Sequence, residues 1–303
     1  MKVNNIMRII ILTAVIVIIL FCVLAYWLAG YIMTGKRQTL EEAAQWQSEH
    51  YDISYFNELE KTDYTVTGSD GYTLHAEFLK NSTDTGRYII LSHGYTDNRM
   101  GALKYVKMYL DLGFSCIIYD LRGHGLNASD FTTYGQRESA DLDLLIKDTR
   151  SRYKDISVLG LHGESLGAAT TVTVMKYRPD VDFAVADCGF SDIGNVLIGS
   201  FAERHLPAFF LDIADIGSRF RFGYSLKKMN PIDSLDDNTV PILFIHGASD
   251  DFILPKNSED MAARTKGVSE LHFIDGAGHA ESILTDPVLY KKYVSGFLEK
   301  NVF

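Results

Sequence analysis

Ser165 sits in His162-Gly163-Glu164-Ser165-Leu166-Gly167, between the apolar run ISVLGL and the helix-forming AATTVTVMKY. A G-x-S-x-G pattern between a strand and a helix makes a turn so tight that side chains two positions either side of the serine would meet backbone. The serine is forced into a strained conformation with its hydroxyl raised above the sheet. A hydroxyl is a poor nucleophile at neutral pH, so it needs a base, and the base needs an orienting carboxylate. Downstream, PILFIH runs into Gly247-Ala-Ser-Asp-Asp-Phe-Ile-Leu-Pro255 and presents Asp250 at a strand's carboxyl end. Asp251 is the rival acid, and Asp187, closing an earlier strand, a remote third. LHFIDGAGHAES then places His279 in a loop where Gly276 and Gly278 let the imidazole swing over the sheet. A tetrahedral oxyanion needs two donors. The N–H of Leu166, at the start of the nucleophile helix, is one. The N–H of Tyr95, after Gly94 in the loop His93–Asn98, is the other, and the Tyr95 phenol is placed to line an acyl pocket. Nucleophilic acyl transfer is the chemistry of this set, with no metal or cofactor required.

The elements that must position these residues alternate short apolar runs with helix-length segments, the pattern of a mostly parallel sheet with helices on both faces. An antiparallel hairpin, 64–67 and 73–79, opens it. Buried strands are predicted at 88–92, 115–120, 156–161, 183–187, 241–246 and 270–274. Helices are predicted at 100–112, 138–153, 168–177, 257–266 and 287–299. The interval 189–238 breaks the rhythm with Phe201, Phe209, Phe210, Phe220 and Phe222, and reads as a cap over the site. Residues 36–62, polar and helical, read as a link to the segment before them.

That earlier segment is uncharged. Ile9–Met33 is bounded by Arg8 and Lys36, long enough as a helix to cross a hydrocarbon core of ~30 Å with tilt. Tyr26, Trp27 and Tyr31 cluster where interfacial aromatics belong. A cleaved signal peptide is the alternative, but the apolar run is long for one and no small-x-small cleavage site stands out. The expectation is an uncleaved single-pass anchor in the cell membrane, residues 1–35, with the N-terminus inside and residues 63–303 forming an extracytoplasmic hydrolase domain. The 303-residue chain has a net charge of −10, and the uncharged stretch with the flanking Lys2 and Arg8 leaves −12 on residues 36–303. An acidic body with no basic run excludes a phosphate-tracking nucleic-acid binder. Three cysteines, Cys22, Cys116 and Cys188, make no disulfide framework, and no zinc spacing occurs. His93 and His246, each before a glycine, read as structural, and Arg122-Gly-His-Gly125 as a tight turn rather than an anion loop. Asn81-Ser-Thr and Asn127-Ala-Ser match the glycosylation pattern.

Taken in order, HGYTDN, DLRGHG, GESLG, HGASDDFILP and GAGHA make the chain from about residue 63 onward resemble the α/β-hydrolase superfamily. Within it, the chain is similar to the serine-aminopeptidase and lysophospholipase-like group and to bacterial membrane-anchored esterases. The resemblance implies an α/β-hydrolase fold with a helical cap. It also implies a triad of Ser165, Asp250 and His279 with Tyr95 and Leu166 as oxyanion donors. A single glycine, Gly94, stands where relatives of hormone-sensitive lipase carry a run of them, which argues against bulky tertiary-alcohol esters. The expected activity is hydrolysis of short- to medium-chain acyl or aryl carboxylic esters. The alternatives are a serine peptidase of aminopeptidase type, with Glu203, Asp212 or Asp215 binding a terminal amine, and a non-catalytic hydrolase-fold module tethered to the membrane.

Overall fold

The computed structural model describes residues 2–303. Its strands are β1 (Lys61–Thr67), β2 (Thr73–Leu79), β3 (Arg87–Ser92), β4 (Phe114–Tyr119), β5 (Val158–Glu164), β6 (Phe183–Asp187), β7 (Ile242–Gly247) and β8 (Ser269–Ile274). They form one sheet in the order β1-β2-β4-β3-β5-β6-β7-β8. Only β2 runs against the others. The central strands β6 and β7 are buried at every position. They are therefore continuously apolar rather than alternating, because helices cover both faces.

The helices are α1 (Lys2–Met33), α2 (Leu40–His50), α3 (Leu103–Asp111), α4 (Gln136–Arg152), α5 (Leu166–Thr173), α6 (Ile193–Glu203), α7 (Phe210–Phe222), α8 (Lys256–Arg264), α9 (Ser282–Thr285) and α10 (Pro287–Asn301). One core layer gathers α4, α5 and α8, the other α3 and α10. The region between β6 and β7 holds α6 and α7. The loops after β3, β5, β7 and β8 leave from the carboxyl ends of parallel strands, so they converge along one edge where ligands bind in such sheets.

In α1, a single helix long and apolar enough to cross a membrane, residues 4–23 are exposed, a length of ~30 Å. The last turns are different. Ala25, Leu28, Ala29, Ile32 and Met33 are buried in the same core layer as α5. Each of the three larger side chains is worth roughly 2 kcal/mol of apolar burial. At Gly217 in α7 an added Cβ would overlap the Ala25 carbonyl, so α1 and α7 touch backbone to backbone. Arg221 lies over the Tyr26 ring at 4.2 Å and donates to the Tyr26 carbonyl (3.2 Å).

Residues 36–62 are more than a link. Gln38 N–H donates to Thr96 O (2.7 Å), and Asn98 Nδ2 donates to Thr39 O (3.0 Å), tying the start of α2 to the loop after β3. A capping box between Thr39 and Glu42 sets that start. Both sequence matches for glycosylation are occupied internally. Asn81 Nδ2 donates to Leu110 O and Phe114 O, and Asn127 Nδ2 to Asp120 O and Leu121 O.

Candidate active site

The turn from β5 into α5 holds Ser165 at φ 53°, ψ −112°, a conformation that costs a non-glycine residue of order 1–3 kcal/mol. Packing enforces it. A Cβ on Gly163 would overlap the Gly167 backbone, and one on Gly167 would overlap the Ser92 carbonyl. Ser165 N–H is tied to Asp187 O at 2.9 Å. The glycine spacing legible in the sequence is thus a requirement of close approach.

The structure brings Ser165, His279 and Asp250 together. Ser165 Oγ lies 2.9 Å from His279 Nε2, and His279 Nδ1 lies 2.7 Å from Asp250 Oδ2. Asp250 Oδ1 accepts the N–H groups of Phe252 (3.0 Å) and Ile253 (2.9 Å). His246 Nε2 approaches Asp250 Oδ2 at 3.1 Å while donating to Ile253 O at 2.7 Å. Burial raises the Asp250 carboxyl, but the hydrogen bonds from His246 and His279 outweigh it and hold the group well below the usual range. An ionised carboxylate only accepts, so the His279 proton sits on Nδ1 and Nε2 is free to accept from Ser165. The two rival acids are placed elsewhere. Asp251 is exposed. Asp187 is fully buried and takes the Tyr105 hydroxyl at 3.0 Å.

Leu166 is the first residue of α5, and the first helical N–H to find a carbonyl is that of Ala169, on Ser165 (3.0 Å). The Leu166 N–H is therefore one of the orphan donors of a helix start. Gly94 lies against Ser165, its added Cβ 3.7 Å from Ser165 Cβ. His93 fixes the loop that follows, donating from Nδ1 to Gly94 O (2.8 Å) and accepting Leu121 N–H at Nε2 (2.9 Å). Burial lowers its pKa, in keeping with that neutral, structural role. Arg122 is likewise structural, buried against Asp141 at 2.7 Å. The Tyr95 phenol does something the sequence gives no sign of. It accepts Gly35 N–H (3.0 Å) and donates to Ile32 O (3.3 Å), joining the candidate oxyanion loop to the end of α1.

Two cavities meet at Ser165, with Tyr95 and Thr96 lining both. One, of about 680 Å³, is walled by Leu28, Tyr31 and Ile32 of α1 and by Ile193, Val196 and Phe201 of α6. Of the described residues lining it, only Lys36 and Arg204 carry charge. The other, of about 370 Å³, is polar, with Trp46 and His50 of α2, Asp97, Lys104, Glu164 and Glu281. Lys104 forms a buried ion pair with Glu164, which also accepts the Tyr105 hydroxyl (2.5 Å). Burial opposes the Lys104 charge, but Glu164 holds its pKa above the ordinary lysine value. Burial pushes the Asp97 carboxyl up to about 6. Sequence reasoning missed this second cavity, since its residues come from α2, α3, the end of β5, the loop after β3 and the loop after β8 with no common spacing.

The sheet order and the strained strand–serine–helix turn define the class: the chain is an α/β-hydrolase. It belongs to the prolyl oligopeptidase family, whose profile matches residues 102–286, more than half of its length. The Bacillus subtilis (strain 168) protein YqkD, itself uncharacterized, is 31% identical over 274 residues, or 88% of this chain and 90% of its own. An esterase of Pyrococcus furiosus superposes with a TM-score of 0.67 at 24% identity, over 83% of this chain and 94% of that one. The acylaminoacyl peptidase of Pyrococcus horikoshii gives 0.63 at 16% identity, over 83% of this chain and 44% of that one. At these identities the structures establish the fold. One fold carrying an esterase and a peptidase leaves the choice of bond to the lining of each site.

Proposed function

We propose that the protein is a serine hydrolase cleaving carboxylic esters, held in the cell membrane by α1 with its domain outside the cytoplasm. Residues 189–238 serve as its cap. The observation that carries this reading is the hydrogen-bond chain Ser165–His279–Asp250, at 2.9 and 2.7 Å, on a strained serine where an apolar and a polar cavity meet. Ser165 Oγ attacks the ester carbonyl carbon while His279 Nε2 takes its proton. The Leu166 and Tyr95 N–H groups receive the oxyanion. His279 then gives the proton to the departing alkoxide as the C–O bond breaks, leaving an acyl-enzyme. Water, deprotonated by the same nitrogen, releases the acid and restores the serine. Asp250 holds the tautomer and stabilises the imidazolium.

A peptidase needing a terminal ammonium finds little support. Asp212 is paired with Lys227, Asp215 is buried and bound to Ser225 and Arg219, and Glu203 is not among the residues lining either cavity at Ser165. Nitrophenyl esters and aminoacyl-naphthylamides, given to the full-length protein and to Ser165→Ala, test the proposal. Ester turnover lost in the variant is the expected result. Amide turnover exceeding ester turnover, or an unaffected variant, would refute it. Protease digestion of intact spheroplasts tests the orientation: cleavage of the domain is expected, and full protection would reverse it.

A further inference from the structure

The end of the membrane helix is part of the wall that faces Ser165. Leu28 and Ile32 are buried and line the apolar cavity. Trp27 and Tyr31, about 60% and 63% exposed, line it from the outer side. The helix is fixed there by several bonds. Tyr134 donates to Ile32 O (2.5 Å), Thr132 N–H to Met33 O (2.9 Å), and Ser218 Oγ approaches Met33 Sδ at 3.0 Å. The stretch of α1 exposed on every side ends at residue 23, and beyond it one face is buried against the domain while Tyr26, Trp27 and Tyr31 stay exposed, so the hydrocarbon core ends where the domain begins. Beside it, Phe209 at the N-cap of α7 and Ile216 and Phe220 within α7 face outward, the last 85% exposed. Water-facing aromatic residues on a helix packed against a membrane span are accounted for by a lipid surface. The cavity therefore opens between Trp27, Tyr31, Lys36 and Arg204 at the depth of the headgroups.

Resting on the serine-hydrolase reading above, we propose that α1 is a specificity element as well as an anchor. Its Leu28–Ile32 face binds the acyl chain of long-chain esters that enter sideways from the bilayer, while Lys36 and Arg204 meet the interface. Apolar chain goes to the α1 side and the departing alcohol to the polar side, so the ester carbonyl arrives over Ser165 Oγ.

The test uses the full-length protein in phosphatidylcholine vesicles, with nitrophenyl laurate in the bilayer and nitrophenyl acetate in the water. Leu28→Trp, which fills the chain's path, is expected to lower the laurate-to-acetate ratio of kcat/KM about tenfold, the discrimination one or two methylenes carry in an apolar pocket. Tyr31→Ala changes an exposed residue that folding does not depend on, and is expected to lower the same ratio by roughly threefold, a smaller lost contact. Ile18→Ala, exposed on the same helix but away from the cavity, should leave it unchanged. A ratio unmoved by both Leu28→Trp and Tyr31→Ala, with the wild type active, overturns the role of α1 alone. A wild type that turns over neither ester overturns the hydrolase reading, and this inference with it.

Discussion

On the α1 side of Ser165 the lining is largely aliphatic and aromatic, drawn in part from the end of α1 and from α6, with Lys36 and Arg204 the only charged residues among those described. On the α2 side, Asp97, Lys104, Glu164 and Glu281 crowd a space about half as large. The first is held together by burial of apolar surface, the second by a buried ion pair and capped helix ends. In the proposed reaction the two linings would sort the acyl chain and the alcohol of an ester whose carbonyl sits at Ser165. The segments before the hydrolase domain, which the sequence suggests are an anchor and a link, each supply one wall.

Changes in the shared centre should have the largest effect and harm both sides alike. Asp250→Asn is expected to cost kcat about 10⁴-fold for every ester, since the amide favours the wrong His279 tautomer; stopped assays over a chain-length series would check it. Next comes the polar wall. Lys104→Ala leaves Glu164 buried with the Tyr105 hydroxyl as its remaining side-chain donor, and denaturant unfolding should show a loss of about 3 kcal/mol or more. On the apolar wall, Val196→Trp, opposite α1, should shift acyl-chain preference about tenfold toward short chains while leaving the alcohol preference unmoved. A shift in both would break the separation of the two cavities.

Asp97→Asn should give the smallest effect. The folded protein raises this carboxyl from 3.8 to about 6. That adds stability which is fully present below about pH 4 and is lost as pH rises through 6. Without the titrating group, the variant should gain on the wild type by about 2 kcal/mol between pH 4 and pH 7. A constant difference across that window would show that Asp97 is solvated rather than buried in the polar cavity.

Much of this was readable from residue order. Strands β3 to β8 fall where apolar runs lie between turn signals, β1 and β2 where residues flank the Ser69–Gly71 turn, and Ser165, Asp250 and His279 each follow a strand that leads toward one edge. Gly163 and Gly167 flag the tight turn because no other residue fits against the Ser92 and Gly167 backbone. The pairing of Asp250 with His279, rather than Asp251, depends on two backbone N–H groups at residues 252 and 253 that no composition reveals. The docking of α1 was hidden for a different reason. Leu28 and Ile32 read like the rest of the apolar run, and only the packing of α1 against α7 and the core layer distinguishes their buried face from the exposed one. The Tyr95 link to Ile32 and Gly35 spans about 60 residues of sequence, beyond the reach of any local pattern.

The most direct measurement is fluorophosphonate labelling of the full-length protein, with the modified peptide located by mass spectrometry. The expected result is one adduct on Ser165, absent in Ser165→Ala and strongly slowed in His279→Ala. An unlabelled wild type, or an adduct elsewhere that survives Ser165→Ala, would contradict Ser165 as the nucleophile.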